Sequence, residues 1–288
     1  MIPTLSLSFS KYAKPVFLLE LPAKSNPKTF IYLKLYKMLV ISIGFYLLSF
    51  FVALLFSYRG KLPNRAVFFS IILALLSYFA YVFHMGFKLG SFPFANIYGF
   101  IGLLGNTMIL ALMVFSLKNS QLLRFSAVFS FFGFLSDLLA LPSEPSPYRN
   151  PLYSLHMLSA LFAYACAFFG GLASFFRLLL EKKLKHKDLP AFSLPINLLR
   201  FSERLMINLS FVFFTLTLIF GSFWTRIHFG KHWINDPKLL FTLLLWIYYA
   251  FVVHMNLVKG LRPRQLSAFI ILGSFLSLLN LLFVRHEV

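Results

Sequence analysis

The residues best suited to chemistry in this chain are histidines set among aromatic rings. The stretch from Phe220 to His254, FGSFWTRIHFGKHWINDPKLLFTLLLWIYYAFVVH, opens as a short polar and aromatic loop and becomes a long apolar run. His228 and His232 stand in the loop beside Trp224, Phe229 and Trp233, and His254 lies deep in the run that follows. His84 and His156 fall within or beside other apolar runs, and His286 comes just after the last one. Two imidazoles brought from distant helices to one face, with an aromatic shelf between them, are what a bis-histidine haem iron site needs. Zinc asks for a third or fourth close ligand, usually Cys or a carboxylate. Asp236 is the carboxylate at hand, which leaves a metal site without a porphyrin as the lesser reading.

Membrane-spanning helices must position these residues. The 288-residue chain is 59% hydrophobic and only 12% charged, where a soluble domain carries about a quarter charged residues. The apolar residues come in blocks of roughly 20, enough to cross a hydrocarbon layer about 30 Å thick. The fold class is therefore an all-α polytopic bundle, with about eight transmembrane helices expected at 36–57, 66–86, 96–117, 123–141, 153–180, 203–222, 239–259 and 265–284. The prolines of LPSEPSPYRNP break the chain between the fourth and fifth spans. The basic stretch EKKLKHKDLPAFSLP separates the fifth and sixth. Residues 1–35 hold Pro3, Pro15, Pro22 and Pro27 with several lysines, and read as a peripheral segment without the apolar core of a signal peptide. Residues 36–288 then form a single bundle bearing a functional loop at 223–238.

A net charge of +19 in a soluble chain would suggest nucleic acid. Here the basic residues stand between apolar blocks, where they orient the helices and meet anionic lipid, so no nucleic-acid partner is expected. One set of connections carries Arg59, Lys61, Arg65, Lys182, Lys183, Lys185, Lys187, Arg262 and Arg264, among others. The opposite set is poorer, with Lys88, Arg149, Arg226, Lys231, Lys238 and Arg285, although the N-terminal lysines add to that side. The richer set is assigned to the cytoplasm, which places both termini and the 223–238 loop outside. His156 and His286 then lie near the external surface, His84 within the second span and His254 well inside the seventh. Intramembrane ionisable residues are costly and mark function by default. Plainer roles stand beside these: His84 bonding a neighbouring helix, Trp224 anchoring at the interface, and Asp236 capping a helix that starts at Pro237. Lys231, Lys238 and Arg226 suit either haem propionates or lipid phosphates. Cys166, the single cysteine, lies in an apolar block and allows no internal disulfide.

The segment FGKHWINDPKLLFTLLLWIYYAFVVHMN resembles the tryptophan-rich signature of cytochrome c assembly membrane proteins. The type it is most similar to is the CcsA/ResC protein of maturation system II, with its HemX-type relatives. Gly230, Trp233, Asp236, Pro237, Lys238, Leu243, Trp246, Ala250 and His254 stand at matching positions, and Gly221 and Trp224 match a G-x-x-W lead-in. FPFANIYGF at 92–100 is similar to a second segment of the family, with Pro93, Asn96 and Tyr98 kept. NPLYSLHMLSALFAYACAFFGGLAS and the closing NLLFVRHEV resemble the blocks holding the family's two external axial histidines, which fall on His156 and His286. The family's intramembrane histidine falls on His254. The chain is a divergent member: Phe229, His232, Asn235, Leu239 and Phe241 replace Trp, Tyr, Trp, Glu and Trp of the signature, and Gly99 replaces a Glu. Aromatic-for-aromatic changes keep a stacking surface for a flat macrocycle.

The resemblance implies a subunit that binds haem b and delivers it to an external site for attachment to apocytochrome c. Its iron ligands would be His156, His286 and His254, with Trp233, Trp224, Asp236, Phe229, His232 and His84 around the group. It also implies a CcsB/ResB-type membrane subunit and a thioredoxin-like reductant as partners, and a cytoplasmic or thylakoid-type membrane. Thioether formation would belong to the whole complex. Two other readings use the same scaffold: a HemX-type regulator of tetrapyrrole synthesis, and a haem-free transporter or structural membrane protein.

Overall fold

Among the described residues eight α-helices follow one another: α1 (Pro27–Tyr58), α2 (Arg65–Leu89), α3 (Ile97–Lys118), α4 (Ser126–Leu139), α5 (Pro151–Lys185), α6 (Ile196–Phe229), α7 (Pro237–Val258) and α8 (Pro263–Phe283). The computed structural model describes residues 27–59, 65–94, 96–118, 120–186, 195–258 and 260–284. The expected peripheral segment up to residue 26 and His286 lie outside them. Proline begins α1, α5, α7 and α8, where its missing N–H would have had no partner and its fixed φ suits the first turn. Asn150 caps α5 by accepting from the Leu152 N–H at 2.8 Å. Asp236 caps α7 in the same way through the Leu239 N–H at 3.0 Å. Asp236→Ala should therefore cost about 0.5–2 kcal/mol, read as a lowered thermal midpoint.

Seven of these helices are long and apolar enough to cross a membrane, so the chain is an integral membrane protein of the all-α polytopic class. The fourth expected span differs from the rest. Its α-helix has 14 residues and is led by a 3-10 helix, Ser120–Phe125. At about 1.5 and 2 Å per residue the two together reach roughly the thickness of a bilayer core. Leu141 precedes Pro142, and a residue in that place is disfavoured in the α region, which stops α4 early. α1 starts at Pro27, nearly three turns before its expected span.

Buried contacts show that successive helices run antiparallel. Ser42 and Ser49 of α1 meet Asp137 and Ser130 of α4, respectively, and Asn106 of α3 also meets Asp137. Odd-numbered helices thus begin at one end of the bundle, the upper end. There the Ser146 N–H donates to the Phe92 carbonyl at 2.9 Å, and the Tyr153 hydroxyl to that of Phe94 at 3.1 Å. Lys238 of α7 donates to the carbonyls of Asn280 and, at 3.0 Å, Val284, holding the end of α8 beside the start of α7.

An ion network ties the lower end. Arg177 of α5 is fully buried, and its Nε donates to both carboxylate oxygens of Glu203 on α6, at 2.9 and 2.8 Å. Its other nitrogens reach Glu181, the Pro263 carbonyl and Ser267 on α8. Arg264 adds a looser pair with Glu181 at 3.4 Å. One guanidinium thereby joins α5, α6 and α8, while Tyr164 of α5 packs edge-on against Phe100 of α3 to join α5–α8 to α1–α4.

Candidate functional site

At the upper end, α5 and α6 present His156 to a cluster of rings. His156 Nδ1 lies 2.9 Å from the Thr217 carbonyl on α6. A carbonyl only accepts, so Nδ1 carries a proton, and in the neutral ring Nε2 is then the nitrogen with the lone pair, the form that ligates a metal. Close approach is possible because residue 221 is glycine: a β-carbon there would stand 2.9 Å from Nδ1 and 3.0 Å from Cε1. Gly221→Ala should push the imidazole off Thr217 and cost about 1–3 kcal/mol by overpacking. A thermal melt together with the imidazole NMR shifts of His156 would check both effects.

Three residues after Gly221, on the same face of α6, the Trp224 ring packs 5.4 Å from Tyr153 and 5.2 Å from Tyr148. His228, one further turn on, stacks on Trp224 with centroids 5.3 Å apart and planes 9° from parallel. Tyr148 and Phe229 close on His228 edge-to-face at 5.1 and 4.6 Å. Tyr153 precedes His156 by one turn of α5, so the ring cluster stands about 4.5 Å above the His156 level. Offset and edge-on arrangements of this kind suit the quadrupoles of the rings and leave flat faces for a flat partner.

The structure places the other expected site residues less closely. α6 continues to Phe229, and a left-handed Gly230 at φ 74° ends it. The expected loop 223–238 is therefore helical in its first half, and the true loop spans 230–236. Polar residues such as Arg226 and His228 do not end a helix that has already left the apolar layer. His232 turns back on α6, with Nδ1 3.1 Å from the Ser222 hydroxyl, and Trp233 is 46% exposed. Asp236 is buried at its cap. Arg226 donates to the Gly230 carbonyl and Lys238 to the end of α8, so two of the three bases considered for propionates serve backbone carbonyls instead. His84 is half-buried on α2, in the α1–α4 half. His254 is exposed on the outer face of α7, toward the lower end. Among the described residues no three His, Cys, Asp or Glu side chains converge as a metal-ion cluster.

Thr217, Tyr148 and Tyr153 were not anticipated. Tyr153 had a readable signal, its spacing of three residues from His156 within one helix. A backbone carbonyl and a ring in an irregular loop leave none.

The fold and its upper end define an integral membrane protein with an imidazole set under clustered aromatic rings. The family model described as cytochrome C assembly protein matches residues 94–287, and the chain belongs to that family. It is similar to the cytochrome c biogenesis protein CcsA of Chlamydomonas reinhardtii, 32% identical over 121 residues, which are 42% of this chain and 34% of that protein. The CcsA of Cyanophora paradoxa is 30% identical over 97 residues, 34% of this chain and 30% of its own. That of Heterosigma akashiwo is 38% identical over 69 residues, 24% and 20% respectively. The chain thus spans about a third or less of the length of these curated relatives.

Proposed function

We propose that the chain is a haem-binding and haem-delivering membrane subunit in cytochrome c biogenesis, of the CcsA/ResC type in maturation system II. The observation that carries this reading is the His156–Thr217 bond beneath the Trp224–His228–Tyr148–Tyr153 cluster. It presents a ligating Nε2 next to flat apolar surface, which fits haem b. His156 and His286 would hold the iron from two sides. Haem supplies the vinyl groups that the cysteine thiols of an apocytochrome add to. The chain's part is to orient the ring on aromatic faces, hold the iron with imidazole, and set the group at the external surface.

His254 supports an earlier holding position within the membrane. An ionisable side chain facing lipid is costly, so its exposed place on α7 calls for a second protein surface, assigned here to the CcsB/ResB-type subunit. A thioredoxin-like reductant would keep the acceptor cysteines reduced. The more basic lower end would face the cytoplasm and anionic lipid, leaving the histidine end external, in a cytoplasmic or thylakoid-type membrane. Deleting the chain from its host should abolish covalent haem in the membrane c-type cytochromes, scored by haem stain on denaturing gels, and the wild-type chain should restore it. Intact cytochromes with altered tetrapyrrole precursor levels would instead select the HemX-type reading.

A further inference from the structure

In the α1–α4 half, away from the histidine site, Asp137 lies 0% exposed among polar side chains within the membrane. Its Oδ1 accepts from Asn106 Nδ2 at 2.6 Å, and its Oδ2 lies 2.5 Å from the Ser42 hydroxyl. The same Ser42 hydroxyl lies 2.8 Å from the Ala74 carbonyl. Ser42 has one proton, and both the carbonyl and an ionised carboxylate only accept. For both contacts to be hydrogen bonds, the missing proton must sit on Asp137. Ser42 then donates to Ala74, and the carboxyl O–H donates to Ser42. The rest of the cluster agrees with this count. Asn106 spends its second N–H on the Gly102 carbonyl at 2.9 Å, and its oxygen accepts from the Tyr46 hydroxyl at 2.8 Å. Among the described residues, no Lys or Arg pairs with Asp137. A bare buried charge without a partner neutralises rather than remaining ionised.

A second feature points into the same place. Tyr78 of α2 is 0% exposed, and its hydroxyl has no partner among the described residues. It lies 2.8 Å from where a β-carbon of Gly102 would stand, a point only 2.5 Å from the Ala140 β-carbon and 3.5 Å from the Ser136 carbonyl next to Asp137. The Tyr78 ring adjoins that of Tyr81 at 5.9 Å, and the Tyr81 hydroxyl meets Ser143 at 2.5 Å in the loop at the upper end. The titratable groups facing Asp137 are thus Tyr46 from α1 and Tyr78 and Tyr81 from α2, while α3 contributes Asn106.

We propose that Asp137 is a proton-binding site within the bundle, holding one proton at rest. The site is distinct from the histidine cluster and stands whether or not that cluster binds haem. The test is infrared spectroscopy of the full-length protein in lipid bilayers, wild type against Asp137→Asn. The wild type should show the carbonyl stretch of a protonated carboxyl, moving to lower frequency in D2O, and the variant should lose it. Loss of the paired bands of an ionised carboxylate in the variant would overturn the proposal. Should the variant fail to fold, carboxyl-13C aspartate in the wild type gives the same reading, since the other aspartates are only Asp188 and Asp236.

Discussion

Arg177→Ala should lower the stability of the bundle by about 3–5 kcal/mol, the cost of removing one partner from a buried ion pair. The loss comes less from the missing attraction than from what remains. Glu203 has a side chain 1% exposed, and in the variant its carboxyl stays buried with no guanidinium beside it. Ser267 still donates to it at 2.5 Å, which offsets little of that cost. The Pro263 carbonyl and Glu181 lose the Arg177 donor together, leaving Glu181 only its looser pair with Arg264, so the lower ends of α5, α6 and α8 loosen as a unit. Replacing both partners, Arg177→Met with Glu203→Met, removes the stranded carboxyl and should recover most of the loss. Thermal unfolding in detergent compares the three chains. A single variant as stable as its parent would show that the network ties nothing.

His156→Ala should abolish low-spin haem binding at the upper end. Loss of a partner that merely orients a metal-ligating residue costs roughly 10–100-fold in affinity, and loss of an axial ligand should cost at least that much. Any haem that remains should be five-coordinate and high-spin, visible as a changed Soret band. His228→Ala removes a stacked ring and no proposed ligand, so it should weaken binding while leaving the low-spin spectrum in place. If the two variants behaved alike, the ligand role given to His156 would fail.

The membrane class and most helix starts were legible in the sequence, because apolar blocks report span length and Asp236-Pro237 reports a helix cap directly. The end of α6 was not. Residues 223–229 look loop-like for their polarity, yet they contain no proline, and the helix runs on to Gly230. The site was legible as a set of residues but not as an arrangement. Gly221 and Trp224 carried a motif whose reason appears only when His156 is seen against α6. His254 lies on a helix that is apolar nearly all round, so spacing gave no sign that it faces outward. Arg177, Glu203 and Asp137 were plain charges in or beside apolar spans, and apart from Glu181, four residues from Arg177, their partners are 26 to 95 residues distant along the chain. That separation hides such pairs from any reading of local pattern.

Haem binding at the histidine-bearing end is the proposal on which the rest depends. Its most direct test is the absorption spectrum of the wild-type protein purified from haem-replete cells, with haem content measured against protein. Stoichiometric haem is expected, with a low-spin Soret and sharp alpha band that disappear in His156→Ala with His286→Ala. Folded wild-type protein purified free of haem from such cells would contradict it.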